Sequence, residues 1–158
     1  MPFRYDSYCG LNCGACSVMG ANERGDTEWL AKVAAQEGCK PEDLQCHGCK
    51  TAENCIYCAD CDIKLCAEDN GLEFCFECRE FPCQRISDFR NDEWAHHSAI
   101  FKNLAAIKEK GVEAWLAEEK KRWACPKCGT RFYWYSEKCA KCGTKLYNAV
   151  KEEPDLTI

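Results

Sequence analysis

A chain of 158 residues is long enough for one domain, or for one domain and a small module. Its 17 cysteines make up about a tenth of the chain, a level that marks a disulfide or metal scaffold, and even with them hydrophobic residues reach only 46%. A formal net charge of −5 argues against nucleic acid as a general ligand, no stretch approaches the roughly 18 apolar residues of a membrane span, and an odd cysteine count excludes complete disulfide pairing within the chain.

The opening MPFRYDSYCGLNC has no charged region followed by an apolar one, so the expected location is the cytoplasm, with no membrane partner. Disulfides are rare there, and cysteine at this density then points to metal. Each zinc site with four cysteine ligands would add −2 to the charge, making the loaded chain more acidic.

Along the chain, CGLNCGAC places Cys9, Cys13 and Cys16 at C-x3-C-x2-C, with glycines where a metal knuckle needs tight turns and amides aimed at sulfur. The same spacing serves radical S-adenosylmethionine enzymes. Those need a large α/β barrel that this chain is too short to build, and Ala15 stands where an aromatic normally precedes the third cysteine. A helix follows, capped by Asp26, with Trp29, Leu30, Val33 and Ala34 as its apolar stripe and Gly38 as its stop.

Residues 46–83 carry nine cysteines and few large apolar anchors, so no long amphipathic helix or strand could hold them without cross-links. C-x2-C hooks occur at 13/16, 46/49, 55/58, 58/61 and 75/78, and short hooks suit tetrahedral zinc. Cys55, Cys58, Cys61 and Cys66 also form C-x2-C-x2-C-x4-C, close to the ferredoxin run, which keeps an iron–sulfur cluster as the alternative for the N-terminal half.

Beyond Cys83 a short helix is predicted over 84–89, then one over 98–110 with Ile100, Leu104 and Ile107 inward, Ser98 as its cap and Gly111 as its end. A further helix over 113–122 turns Trp115 and Leu116 inward and leaves Glu118, Glu119, Lys120 and Lys121 as a solvated face. His96 and His97 have no cysteine nearby and read as surface or helix-start residues rather than ligands. Cys125, Cys128, Cys139 and Cys142 give C-x2-C-x10-C-x2-C with Gly129 and Gly143 closing two knuckles, and Arg131–Tyr135 suits a strand between them. This predicts a zinc ribbon built on a β-hairpin, whose four cysteines are local in sequence.

YCGLNCGAC (8–16), PEDLQCHGCK (41–50) and CDIKLCAEDNGLEFCFECREFPC (61–83) together resemble a microbial family catalogued as domain of unknown function 3795. Residues 103–129 resemble the extension with a terminal zinc ribbon that some members carry. The resemblance implies a cysteine-rich, metal-binding fold and no established reaction. The family-like positions are Cys9, Cys13, Cys16, Cys46, Cys49, Cys58, Cys61, Cys66, Cys75, Cys78 and Cys83, with Cys39 and Cys55 as additions outside the ligand set.

The expected fold is therefore a small α+β or irregular metal-stabilised one: a cysteine-rich metal-binding domain over 1–90, a helical segment of two helices over 91–123, a zinc-ribbon hairpin over 124–148 and a loose tail over 149–158. The expected ligands are those eleven cysteines with the four of the ribbon, and the expected cofactor is zinc, several ions. At least three metals are predicted, and no enzyme signature stands out. The expected role is structural or interactive, with a protein as partner, and the alternative is an iron–sulfur redox protein or cluster-dependent enzyme. Nucleic acid is a weaker alternative, resting on eight Lys and Arg against three Glu in residues 118–145, interleaved with Phe132, Tyr133, Trp134 and Tyr135.

Overall fold

The computed structural model describes residues 2–156, and 53% of these residues are helical, short 3-10 turns included. Eight α-helices follow in order among these residues: α1 (Ser17–Arg24), α2 (Thr27–Glu37), α3 (Ile56–Ala59), α4 (Asp62–Asp69), α5 (Gln84–Arg90), α6 (Ile100–Lys110), α7 (Val112–Arg122) and α8 (Ala149–Glu152). The capping chemistry that predicted α2 is present: the Asp26 carboxylate accepts the Trp29 N–H at 3.0 Å, and Gly38 takes a left-handed conformation at its end. Helix α1 was not foreseen, since eight residues with Val18, Met19 and Ala21 buried give too short a periodic signal.

The expected α+β class is corrected. Among the described residues there is no sheet, and the β-hairpin is replaced by two isolated bridges, Ala124 with Arg131 and Lys138 with Lys145. The physical reason lies in where the backbone groups of the aromatic run go. Each bridge closes its own knuckle, the first with the Phe132 N–H on the Trp123 carbonyl, while the Trp134 N–H goes to the distant Ala15 carbonyl at 3.0 Å. The Trp134 carbonyl accepts the Ala149 N–H at 2.8 Å. A segment whose amides are spoken for by distant partners has none left for a neighbouring strand.

Residues 149–156, expected as a loose tail, are instead held. Asn148 caps α8 through the Lys151 N–H, Ala149 is buried, and buried Glu152 pairs with Lys102 at 3.0 Å and Arg122 at 3.2 Å. Residues 157 and 158 lie outside the described residues.

The core is divided into four small clusters, and thiols fill three of them. One joins Ala15, Trp123, Cys125, Phe132, Cys139, Leu146 and Ala149. A second gathers Met19, Leu30, Ala34 and Leu44 with Cys46 and Cys55. A third sets Cys9 beside Ile63, Ile86 and Ile100, and a fourth packs Phe74, Leu104 and Ile107 on Trp115. Burial of one large apolar side chain stabilises by about 1.5–3 kcal/mol, so clusters this small are individually weak and depend on what joins them.

Two glycines permit the joins. Gly20 of α1 lies under the Tyr133 ring, and a Cβ there would meet the hydroxyl at 2.2 Å. Gly48, at φ 125°, lies against the Arg4 carbonyl, where a Cβ would also be 2.2 Å away. The segment after it is anchored by Lys50, whose side chain is only 2% exposed. Its ammonium pairs with buried Asp6 at 3.0 Å and lies over the Phe74 ring at 3.8 Å from the centroid.

Candidate metal centres

The C-terminal tetrad is built from two near-identical knuckles, ACPKCGT and KCAKCGT. In the first, the Gly129 N–H returns to the Cys125 carbonyl and the Cys125 N–H bonds to the Thr130 carbonyl, both at 2.8 Å; Gly143, Cys139 and Thr144 repeat this at 2.9 Å. The four Sγ atoms lie within 4.8 Å of one another, with Cys125–Cys142 at 3.6 Å and Cys128–Cys139 at 3.5 Å. A tetrahedral zinc–thiolate bond of about 2.3 Å sets sulfurs about 3.8 Å apart, so the donor set and its spacing fit one ion.

Thr130 and Thr144, not singled out from the sequence, support the sulfurs. Thr130 Oγ1 stands 3.1 Å from Cys128 Sγ and Thr144 Oγ1 stands 3.0 Å from Cys142 Sγ. These hydroxyl contacts, with the N–H groups of the same threonines, hold both thiols below the ordinary thiol range, Cys142 at about 6. The twice-repeated Cys-Gly-Thr was the signal that could have found them.

The N-terminal cysteines fall into two groups. In the first, Cys13 is raised well above the usual thiol range by its contact with the Cys49 thiol, by burial and by neighbouring Cys16 and Cys58. Cys46 is raised by a thiol contact with Cys55, which itself touches Cys58. Cys16, raised mainly by burial, has Cys46 as a neighbour. In the second group, burial and the nearby Cys83, Cys66, Cys78 and Cys61 push Cys75 up to about 12. Cys9 stands between the groups, next to Cys49 and Cys61. Among the described residues no further three potential ligands lie within 4.8 Å of one another.

Two expectations change here. Cys55, taken as an addition outside the ligand set, is 4% exposed and lies among the thiols of the first group. The ferredoxin-like run divides, Cys55 and Cys58 joining the first group and Cys61 and Cys66 the second. Cys39 packs on the edge of the second apolar cluster, beside Glu37 and Asp43 at the end of α2.

Other singled-out residues take structural places. His97 is buried, held by Asp92 at 2.8 Å and stacked on Phe89, while His96 stacks on Trp134 at 3.9 Å and bonds to the Tyr135 hydroxyl at 2.7 Å. Of the run 118–121, Glu119 is not on a solvated face: it is buried, accepting from the Trp123 indole at 3.1 Å and the Asn12 amide at 3.2 Å, and burial raises its pKa. Phe132 is buried and Trp134 packs on the Ala15 cluster, so of the aromatic run Tyr135 is the one left exposed. Among the described residues no helix is long and apolar enough to cross a membrane.

A family model described as a protein of unknown function, DUF3795, matches residues 5–88, a little over half of the chain and all thirteen N-terminal cysteines. No curated protein and no solved structure matches.

Proposed function

The chain belongs to the DUF3795 family, which assigns it no reaction, and from its own thiols we propose that it is a multi-site metal-binding protein with zinc as the metal. The observation that carries this is the tetrad of Cys125, Cys128, Cys139 and Cys142, whose sulfurs are spaced for one tetrahedral ion. All four donors are cysteine, the set of a closed structural site rather than a catalytic one. The ion would supply bonds between segments that small cores hold weakly, since zinc contributes about 10–16 kcal/mol in finger peptides.

Its role is that of a structural or interaction module, and the partner is a protein. The net charge of −5 and the packing of Phe132 and Trp134 into the core weigh against single-strand stacking as the alternative. The division of the 55–66 run between two groups favours zinc over a ferredoxin-type cluster.

Elemental analysis of anaerobically purified full-length protein, with an ultraviolet–visible spectrum, tests the reading. Three or more zinc ions per chain in colourless protein is the expected result. Metal-free folded protein would overturn it, and iron with visible absorption would replace zinc.

A further inference from the structure

Between α7, the Cys13–Cys16 hook and the first knuckle of the tetrad lies an open cleft of about 520 Å³, within the roughly 300–1,000 Å³ of small-molecule sites. Its floor is buried, with Asn12, Glu119 and Trp123 only 6%, 9% and 6% exposed. Leu116, Ala117 and Ala124 form apolar walls, and exposed Lys120 and Arg131 stand at the rim. The lining includes no cysteine, so the cleft is separate from the thiols of the metal centres.

The polar groups of the floor satisfy one another, with one exception. The Asn12 amide and the Trp123 indole both donate to Glu119 Oε2, at 3.2 and 3.1 Å, and the Asn12 side-chain oxygen accepts the Gly14 N–H at 2.9 Å. Among the described residues Glu119 Oε1 takes no donor. A buried carboxylate with an unfilled oxygen is costly, and a cationic donor relieves that cost most fully. Burial already disfavours the charged form of Glu119, and an ammonium brought against it restores that form. The same floor residues also border a second cavity of about 10 Å³, room for about one water, which is the competing partner for Oε1.

At the rim the sign is opposite. Arg131 is held by Glu23 and by the Gly14 carbonyl, which leaves Lys120 as the rim cation to be matched. A plain amine entering the cleft meets two cations at its mouth, and a plain acid sets its carboxylate against Glu119. A molecule carrying both charges answers both ends.

We infer that this cleft binds a small zwitterion, an amino acid with a large apolar side chain. Its ammonium sits on Glu119, its carboxylate faces Lys120, and its side chain lies against Leu116 and Ala117. The inference goes beyond the metal-binding reading and does not rest on it.

The test follows amide resonances of nitrogen-15-labelled full-length protein, with its metals as isolated, during titration with L-phenylalanine and L-leucine. Saturable shifts are expected at Gly14, Ala117, Ala124 and Gly129 and not in α2. Phenethylamine and phenylpropanoate each lack one of the charges of phenylalanine, and each should bind about tenfold more weakly or worse. Glu119→Gln keeps the shape and the acceptor for Asn12 and Trp123, and should weaken amino-acid binding by about tenfold or more. Lys120→Ala, at an exposed position, should weaken phenylalanine more than phenethylamine. Absence of saturable shifts in the cleft with either amino acid at millimolar concentration overturns the inference. Phenylpropanoate binding as well as phenylalanine also overturns it, since the cleft would then be a plain apolar groove. Unchanged affinity in Glu119→Gln does the same, giving Oε1 to the water of the smaller cavity. If Glu119→Gln does not fold, the ligand series on the wild type decides.

Discussion

Arg131 donates through Nε to the Gly14 carbonyl at 2.9 Å, so the C-terminal module is hydrogen-bonded to the middle of the Cys13–Cys16 hook. The same guanidinium pairs with Glu23 of α1, and the neighbouring Trp134 amide reaches the Ala15 carbonyl. The two cysteine-rich ends of the chain therefore share a surface rather than a linker. Arg131→Ala should weaken that surface by about 1 kcal/mol, below the roughly 1.5–3 kcal/mol of a charged hydrogen bond because the side chain is 39% exposed and screened by solvent. Hydrogen exchange should rise at residues 14–16 and 132–134 and stay unchanged in α6. Unchanged protection at Ala15 would refute the coupling.

Gly20→Ala tests the same surface from the other side. The added methyl displaces the Tyr133 ring, whose hydroxyl also accepts from Arg24 at 3.2 Å. Overpacking of this kind costs about 1–3 kcal/mol. A thermal midpoint at or above that of the wild type would show that the ring yields freely.

Ligands as local in sequence as those of the tetrad would, by themselves, let metal loss release only the two knuckles. The cluster that joins Cys125 and Cys139 to Ala15 and Ala149 changes that expectation. Cys125→Ser should raise hydrogen exchange at Ala15, Trp134 and Ala149 as well as inside the knuckles. Loss confined to residues 124–148 would restore the independent module.

Alkylation of the native protein, with the label mapped by mass spectrometry, should modify Cys39 and spare Cys55. Cys39 is partly exposed at the edge of its cluster, whereas Cys55 is buried beside Cys46 and Cys58. Rapid labelling of Cys55 would remove it from the first group.

His96 supplies a pH dependence with a definite sign. Burial, helped by neighbouring His97, lowers its pKa from 6.5 to about 3. The unfolded chain takes up this proton first, so the contribution is constant above pH 6.5 and stability is lost as pH falls from 6.5 toward 3. His96→Gln should flatten the fall in thermal midpoint between pH 7 and 5.5, with metal content followed in parallel. An unchanged slope would place the acid sensitivity elsewhere.

The sequence made the tetrad and the helices α2, α6 and α7 legible because their signals are local: a capping Asp26, apolar residues at helical spacing, a glycine stop and two knuckles of fixed pattern. It did not reveal where the aromatic run would send its amides. Arg131–Tyr135 has the composition of a strand, but its partners at Ala15 and Ala149 lie far away in the chain, and β propensity is easily overridden by such contacts. Glu119 misled for a related reason, since its hydrogen-bond partner Asn12 is 107 positions away. The grouping of the thiols was hidden because hooks at equal spacing look alike in sequence. Only the packing separates Cys58 from Cys61, which share a hook on paper and stand in different groups.

The order of the groups along the chain has a consequence for synthesis. All six thiols of the first group emerge from the ribosome by Cys58, the second group is complete at Cys83, and the tetrad closes only at Cys142. At 5–20 residues per second the nascent chain spends roughly 4–17 s with the first group complete and the tetrad unfinished. During that interval the Gly14 and Ala15 carbonyls, later covered by Arg131 and Trp134, face solvent. The tetrad module thus arrives after the N-terminal cysteines and closes over a hook synthesised long before it.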